Sequence, residues 1–120
     1  MKHENLRART KQFALDCIRL CSTLPNRQEF WIIGKQLLRS ATSVGANYRS
    51  ACRAKSPADF ISKMSIVEEE ADECQYWLEL LEEVWTNGDH PMIKHLEDEA
   101  GQLTAIMIQS KKTARHRLDG

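Results

Sequence analysis

Four cysteines, four histidines and a mid-chain run of carboxylates are the residues whose types could support metal or nucleophilic chemistry. Cys17 and Cys21 stand at i and i+4, so a helix would present both on one face as two metal ligands. A closed site needs two more ligands, and neither Cys52 nor Cys74 has a histidine near it in sequence. No Cys-x-x-Cys pair occurs. Each cysteine falls among apolar helix positions, which predicts buried, reduced thiols packing as small hydrophobes. The histidines are His3, His90, His95 and His116, and none follows a glutamate by three positions. The paired Glu-x-x-His ligands of a di-metal bundle are therefore missing. His3 and His116 are terminal, His90 falls in a turn, and His95 reads as a solvated helix residue.

Glu68, Glu69, Glu70, Asp72 and Glu73 could in principle hold a hard cation. Successive helical residues turn by about 100°, however, so these five cannot share a face. Glu69, Asp72 and Glu73 read as a solvated acidic face that pairs with a basic neighbour, while Glu70 lies nearer the apolar seam. There is no glycine-rich phosphate loop and no nucleophile elbow. The sequence predicts no catalytic residues, no cofactor, no metal and no small-molecule substrate.

The elements that must position these residues are helices. The chain has 120 residues, enough for one domain (residues 1–120). Apolar residues make up 42% and charged residues 28%, as in an ordinary soluble protein. Three prolines occur, each near an expected helix start. Helix one is expected over residues 5–23, with Phe13, Cys17, Leu20, Cys21 and Leu24 inward and Ala14 and Ile18 widening the face. Helix two is expected over 27–54, with Trp31, Ile32, Leu38, Ala41, Val44, Tyr48, Ala51 and Cys52 apolar. Its interior Gly34 and Gly45 cost about 1 kcal/mol each against alanine, which points to close helix approach. Helix three is expected over 57–87, from a Ser56 cap with Asp59 in the capping-box position to an Asn87-Gly88 stop. Phe60, Met64, Val67, Ala71, Cys74, Leu78, Leu81 and Trp85 form an unbroken seam of alternating four- and three-residue steps. Ile61, Trp77, Leu80 and Val84 flank it. Helix four is expected over 91–116 with Asp89 as cap and a seam of Ile93, Leu96, Ala100, Leu103, Met107, Ser110 and Ala114. Short loops make sequential helices antiparallel, so the expected fold is an all-α, up-down-up-down four-helix bundle.

Charge is where the sequence speaks to function. Lysine plus arginine and aspartate plus glutamate each number 17. Residues 1–57 carry 11 basic and 3 acidic side chains, residues 58–110 carry 2 and 13, and residues 111–120 carry 4 and 1. Balanced net charge excludes a uniformly basic nucleic-acid binder, but the division points to a partner or to pairing within the bundle. Arg39, Arg49, Arg53 and Lys55 run along the second half of helix two. Lys111, Lys112, Arg115 and Arg117 close the chain, and Arg7, Arg9 and Lys11 open it. An up-down bundle brings these to one pole, where two readings stand side by side: phosphate binding, or charge that serves solubility alone. Asn47 is expected on the inward side of helix two, as a buried packing amide partnered by Glu70. No apolar run approaches the roughly 18–20 residues that span a bilayer. Met1 to Thr10 is polar and basic with no apolar stretch behind it, so a soluble cytoplasmic protein without a membrane partner is expected.

The stretch from Leu38-Arg39-Ser40-Ala41-Thr42-Ser43-Val44-Gly45-Ala46-Asn47-Tyr48 through Ala54-Lys55-Ser56, Asp59-Phe60, Lys63, Ile66, Glu70-Ala71-Asp72-Glu73 and Tyr76-Trp77-Leu78-Glu79-Leu80-Leu81 resembles the bacterial four-helix-bundle proteins also called 23S rRNA-intervening-sequence proteins. The likeness weakens in helices one and four, though the layout covers nearly the whole chain. Ser50 stands where that family usually has glutamate, and Glu69 where lysine is common, which puts the surface pairing at both places in doubt. The resemblance implies an antiparallel bundle assembled as a ring-shaped homopentamer, with genes often inside ribosomal RNA intervening sequences and no established catalytic activity. A related bundle is an accessory protein of reverse transcriptases, so the implied partners are a second copy, RNA, or such an enzyme.

Overall fold

Apolar side chains at steps of three and four build four helices: α1 (Lys2–Ser22), α2 (Gln28–Cys52), α3 (Pro57–Val84) and α4 (Pro91–Asp119). The structure, a computed structural model, describes residues 2–119. The side chains of residues 2–4 are not among those described, so the His3 side chain lies outside the described residues. Cross-helix contacts fix the directions. Cys21 meets Gly34 and Thr10 meets Gly45 across α1 and α2. Arg39 meets Glu70 and Glu73 across α2 and α3, and Glu82 and Glu68 meet Lys94 and Lys111 across α3 and α4. Each neighbour is antiparallel, and Arg9 closes the ring by reaching Glu99 from α1 to α4. The result is a rod of 52 × 21 × 20 Å.

Every helix gives one seam to a shared core. From α1 come Leu6, Phe13, Cys17 and Leu20, and from α2 Phe30, Leu37, Ala41, Val44, Tyr48 and Ala51. The α3 seam is buried from Met64 to Leu81, with Phe60 and Trp85 half-buried at its ends. On α4, Ile93, Leu96, Ala100, Leu103 and Met107 are fully buried. A fully buried leucine, isoleucine or phenylalanine stabilises the fold by roughly 1.5–3 kcal/mol relative to exposure. These seams, rather than helix propensity, hold the bundle together.

Three expectations about apolar positions need correction. Trp31 is 70% exposed, and Ile32 and Ile18 are also exposed. Phe30 and Leu37 take the core positions that the apolar run at the start of α2 obscures. Cys52 is exposed and Cys21 half-buried, so the buried thiols are Cys17 and Cys74. Burial pushes the Cys17 and Cys74 thiols well above the ordinary range and Cys21 to about 11, keeping all three protonated.

Helix ends follow local chemistry. Ser56 Oγ accepts from Asp59 N–H at 3.1 Å, and Pro57 is the first residue of α3. The returning carboxylate bonds Lys55 N–H at 3.0 Å rather than Ser56, so the box closes one residue further out. At α4, Asp89 is not the cap: His90 Nδ1 accepts from Ile93 N–H at 3.4 Å, and the His90 ring packs edge-on against Trp85 at 4.6 Å. Val84 ends α3 because Trp85 turns to extended backbone and packs on Phe30, while Gly88 takes the turn at φ 79°. Pro25 sits in the first loop, not at the start of α2.

Candidate nucleic-acid interface

The nominated cations fall into two groups. Arg39 and Lys111 are taken up by the acidic helix. Arg39 donates to Glu73 at 2.6 Å, to Glu70 at 3.3 Å and to Ser40 Oγ at 2.9 Å. Ser40, fully buried, donates in turn to Glu73 at 3.2 Å. Glu70 and Glu73 hold the Arg39 guanidinium in its charged form. Lys111 forms an ion pair with Glu68 at 2.8 Å and donates to Ser65 Oγ at 3.1 Å. The acidic middle of the chain is thus partly neutralised inside the bundle.

Arg49, Arg53, Lys55, Lys112, Arg115 and Arg117 are exposed, and none has an ion-pair partner among the described residues. The antiparallel layout places them at one end of the rod: the end of α2, the turn into α3 and the last turns of α4. Arg7, at the start of α1, shares that end and lies close enough to Tyr48 to ease its ionisation. Asp59, Asp119 and, beside Lys112 and Arg115, Glu68 are acids of this pole among the described side chains; Asp59 is occupied by Lys63 at 2.9 Å and Glu68 by Lys111 at 2.8 Å. The opposite end carries Glu79, Glu82, Glu83, Asp89, Glu97 and Asp98 against Arg19, Arg27 and Lys94. The charge division of the sequence therefore becomes a polarity along the long axis.

Sequence reasoning missed a cleft at the basic pole. Its volume is about 810 Å³, and Leu6, Tyr48, Phe60, Met64 and Ile106 supply its apolar lining. The α4 seam turns small after Met107: Ser110 and Ala114 cannot fill the space that leucines would fill, and both line the cleft. That change of residue size was the available signal. Arg9, held to Glu99 at 2.7 and 2.8 Å and to Gln102 at 2.9 Å, forms part of the wall. Arg117 lies on the cleft side of α4, whereas Lys112 and Arg115 line a shallow groove on its other side with Glu68. Burial, with Cys52 adding to it, pushes the Tyr48 hydroxyl up to about 12, so the phenol is neutral.

Asn47 does not meet Glu70. Its Nδ2 donates to Ser43 O one turn back at 2.8 Å, a bond within α2. Glu70 is instead the mostly buried partner of Arg39. A structural or protein-binding adaptor would have Arg39 and Arg49 contact acids of α3 or of a neighbouring subunit; Arg39 meets α3 acids, and Arg49 has no such contact within the chain. Among the described residues no group of three or more His, Cys, Asp or Glu side chains is placed to hold a metal ion. No helix among them is long and apolar enough to cross a membrane.

A family model described as 23S rRNA-intervening sequence protein matches residues 4–109. Among solved structures, the chain is similar to the crystal structure of a protein with unknown function from the S23 ribosomal protein family of Bacteroides thetaiotaomicron. The two are 35% identical, with 93% of this chain and 99% of that chain covered and a TM-score of 0.82. No curated protein is significantly similar in sequence.

Proposed function

The chain belongs to the 23S rRNA-intervening sequence protein family, and from that premise we propose that it is a non-enzymatic, oligomeric, cytoplasmic bundle that binds RNA through its basic pole. One observation carries the reading: six exposed cations at one end of the rod lack internal partners, while Arg39 and Lys111 are consumed by the acidic helix. Phosphate oxygens are the partners such a surface lacks, and neutralising them releases condensed counterions. The test is binding of a structured RNA over a salt series. A log–log slope between about −3 and −5 is expected if most of the six cations each meet a phosphate. Weak binding with a flat salt response overturns the proposal.

Assembly is the second part. Trp31, Ile32, Ile66 and Tyr76 are exposed on α2 and α3, and exposed large apolar side chains that cluster favour burial against another chain. The family resemblance supports taking that chain as a second copy, in a homopentamer. A protein-binding adaptor, including an accessory protein of a reverse transcriptase, uses the same apolar face without RNA. Solution mass measurement on purified protein, with recovery of co-purifying nucleic acid, distinguishes the two.

A further inference from the structure

The cleft at the basic pole combines features that a phosphate-binding surface does not need. Its lining is mostly apolar and includes two aromatic side chains, Tyr48 and Phe60. Its volume of about 810 Å³ falls within the roughly 300–1,000 Å³ of small-ligand sites. An A-form duplex presents phosphates and 2′-hydroxyls and keeps its base faces stacked, so it has nothing to place there. An unpaired strand offers free base faces that stack on aromatic side chains while cations follow its backbone.

We infer that the cleft takes one unstacked base of a single-stranded RNA, with the flanking phosphates held by Arg117 and by the cations of the α2–α3 corner. This rests on the RNA-binding reading and narrows it to unpaired strands. Charge decides against an apolar protein segment as occupant. Arg53, Lys55 and Arg117 have no acidic partner among the described residues, which suits a polyanion. The neutral Tyr48 phenol adds no negative charge to repel phosphate. Asn5 and Gln109, also lining the cleft, offer amides to the edge of the inserted base.

The test compares a short unpaired RNA with a blunt-ended RNA duplex of equal phosphate count, by fluorescence anisotropy at physiological salt. It uses the full chain and two variants. Phe60→Leu keeps apolar volume but removes the aromatic face, and Ser110→Phe fills the cleft from α4. Circular dichroism and melting temperature confirm that each folds. The unpaired RNA should bind more tightly than the duplex. Each variant should weaken unpaired binding roughly tenfold, the size of one lost base stack, and leave duplex binding unchanged. An iodouridine-substituted strand should crosslink to Tyr48 or Phe60. Equal binding of the two RNAs, unaffected by either variant, overturns the inference but leaves phosphate recognition by the pole intact. Absence of any RNA binding at low salt overturns both readings. An apolar peptide displaced by Ser110→Phe, without an RNA crosslink, assigns the cleft to a protein partner and overturns the inference.

Discussion

Replacing Glu97 with glutamine removes a built-in pH dependence from the acidic end of the bundle. Glu97 lies on α4 beside Glu82 and Glu79 of α3, with Lys94 partly offsetting them. Its Oε2 is buried and has no hydrogen-bond donor within reach. A proton on Glu97 supplies the missing bond by donating to Glu82. Burial first, then Glu82, pushes the carboxyl up to about 7 from its usual 4.5. The folded state therefore binds this proton more tightly than the unfolded chain does. Its stabilising effect is complete below about pH 4.5 and is lost as the pH rises to about 7. At 1.36 kcal/mol per tenfold change in affinity the ceiling is roughly 3 kcal/mol. Glu97 is only half-buried and Lys94 counters part of the field, so screening lowers the expected effect to about 1 kcal/mol. Urea unfolding of the wild type and Glu97→Gln between pH 5 and 8 reads it directly. The variant should gain about 1 kcal/mol on the wild type across that interval, equivalent to about 4 °C in melting temperature at the alkaline end. Parallel stability curves would refute the argument.

The two glycines of α2 give a second prediction. A Cβ at Gly34 would meet Cys21 Sγ at 3.5 Å, and one at Gly45 would meet Thr10 at 3.5 Å, both ordinary contacts. Gly34→Ala and Gly45→Ala should each stabilise by up to about 1 kcal/mol through helix propensity, measured by thermal unfolding. A loss of stability would show that α1 approaches α2 more closely than this. At the start of α4, His90→Ala should cost about 0.5–1 kcal/mol by removing both the cap and the packing on Trp85. Asp89→Ala should stay within about 0.5 kcal/mol of the wild type. Denaturation midpoints compare the pair, and equal losses would return the capping role to Asp89.

The seams of α3 and α4 are legible in the sequence because nothing interrupts them. From Met64 to Leu81 and from Ile93 to Met107 every expected seam position is buried. The start of α2 is not legible, because Phe30-Trp31-Ile32-Ile33 is a continuous apolar run with no period. The true seam passes through Gly34, which carries no hydropathy signal. The fate of each cation is invisible for another reason. Arg39 and Arg49 look alike in sequence, and only the antiparallel register sets Arg39 opposite Glu70 and Glu73 and leaves Arg49 in solvent. Asn47 shows the same limit: its amide finds a carbonyl on its own helix, which inward placement alone does not foresee. The cleft arises from missing side-chain volume at Ser110 and Ala114, an absence that a seam written only as apolar or small does not register.

The most direct test of the central claim separates free cations from paired ones. RNA affinity is measured over a salt series, and compared at one moderate concentration within it, for the wild type, for Arg49→Gln/Arg53→Gln/Arg117→Gln, and for Arg39→Gln. The account predicts that the triple variant loses at least tenfold in affinity and that its salt slope falls by about 2–3. Arg39→Gln should bind RNA as the wild type does, because its charge is already committed to Glu70 and Glu73. Equal weakening by Arg39→Gln, or full affinity in the triple variant, would contradict a basic pole built from the unpaired cations.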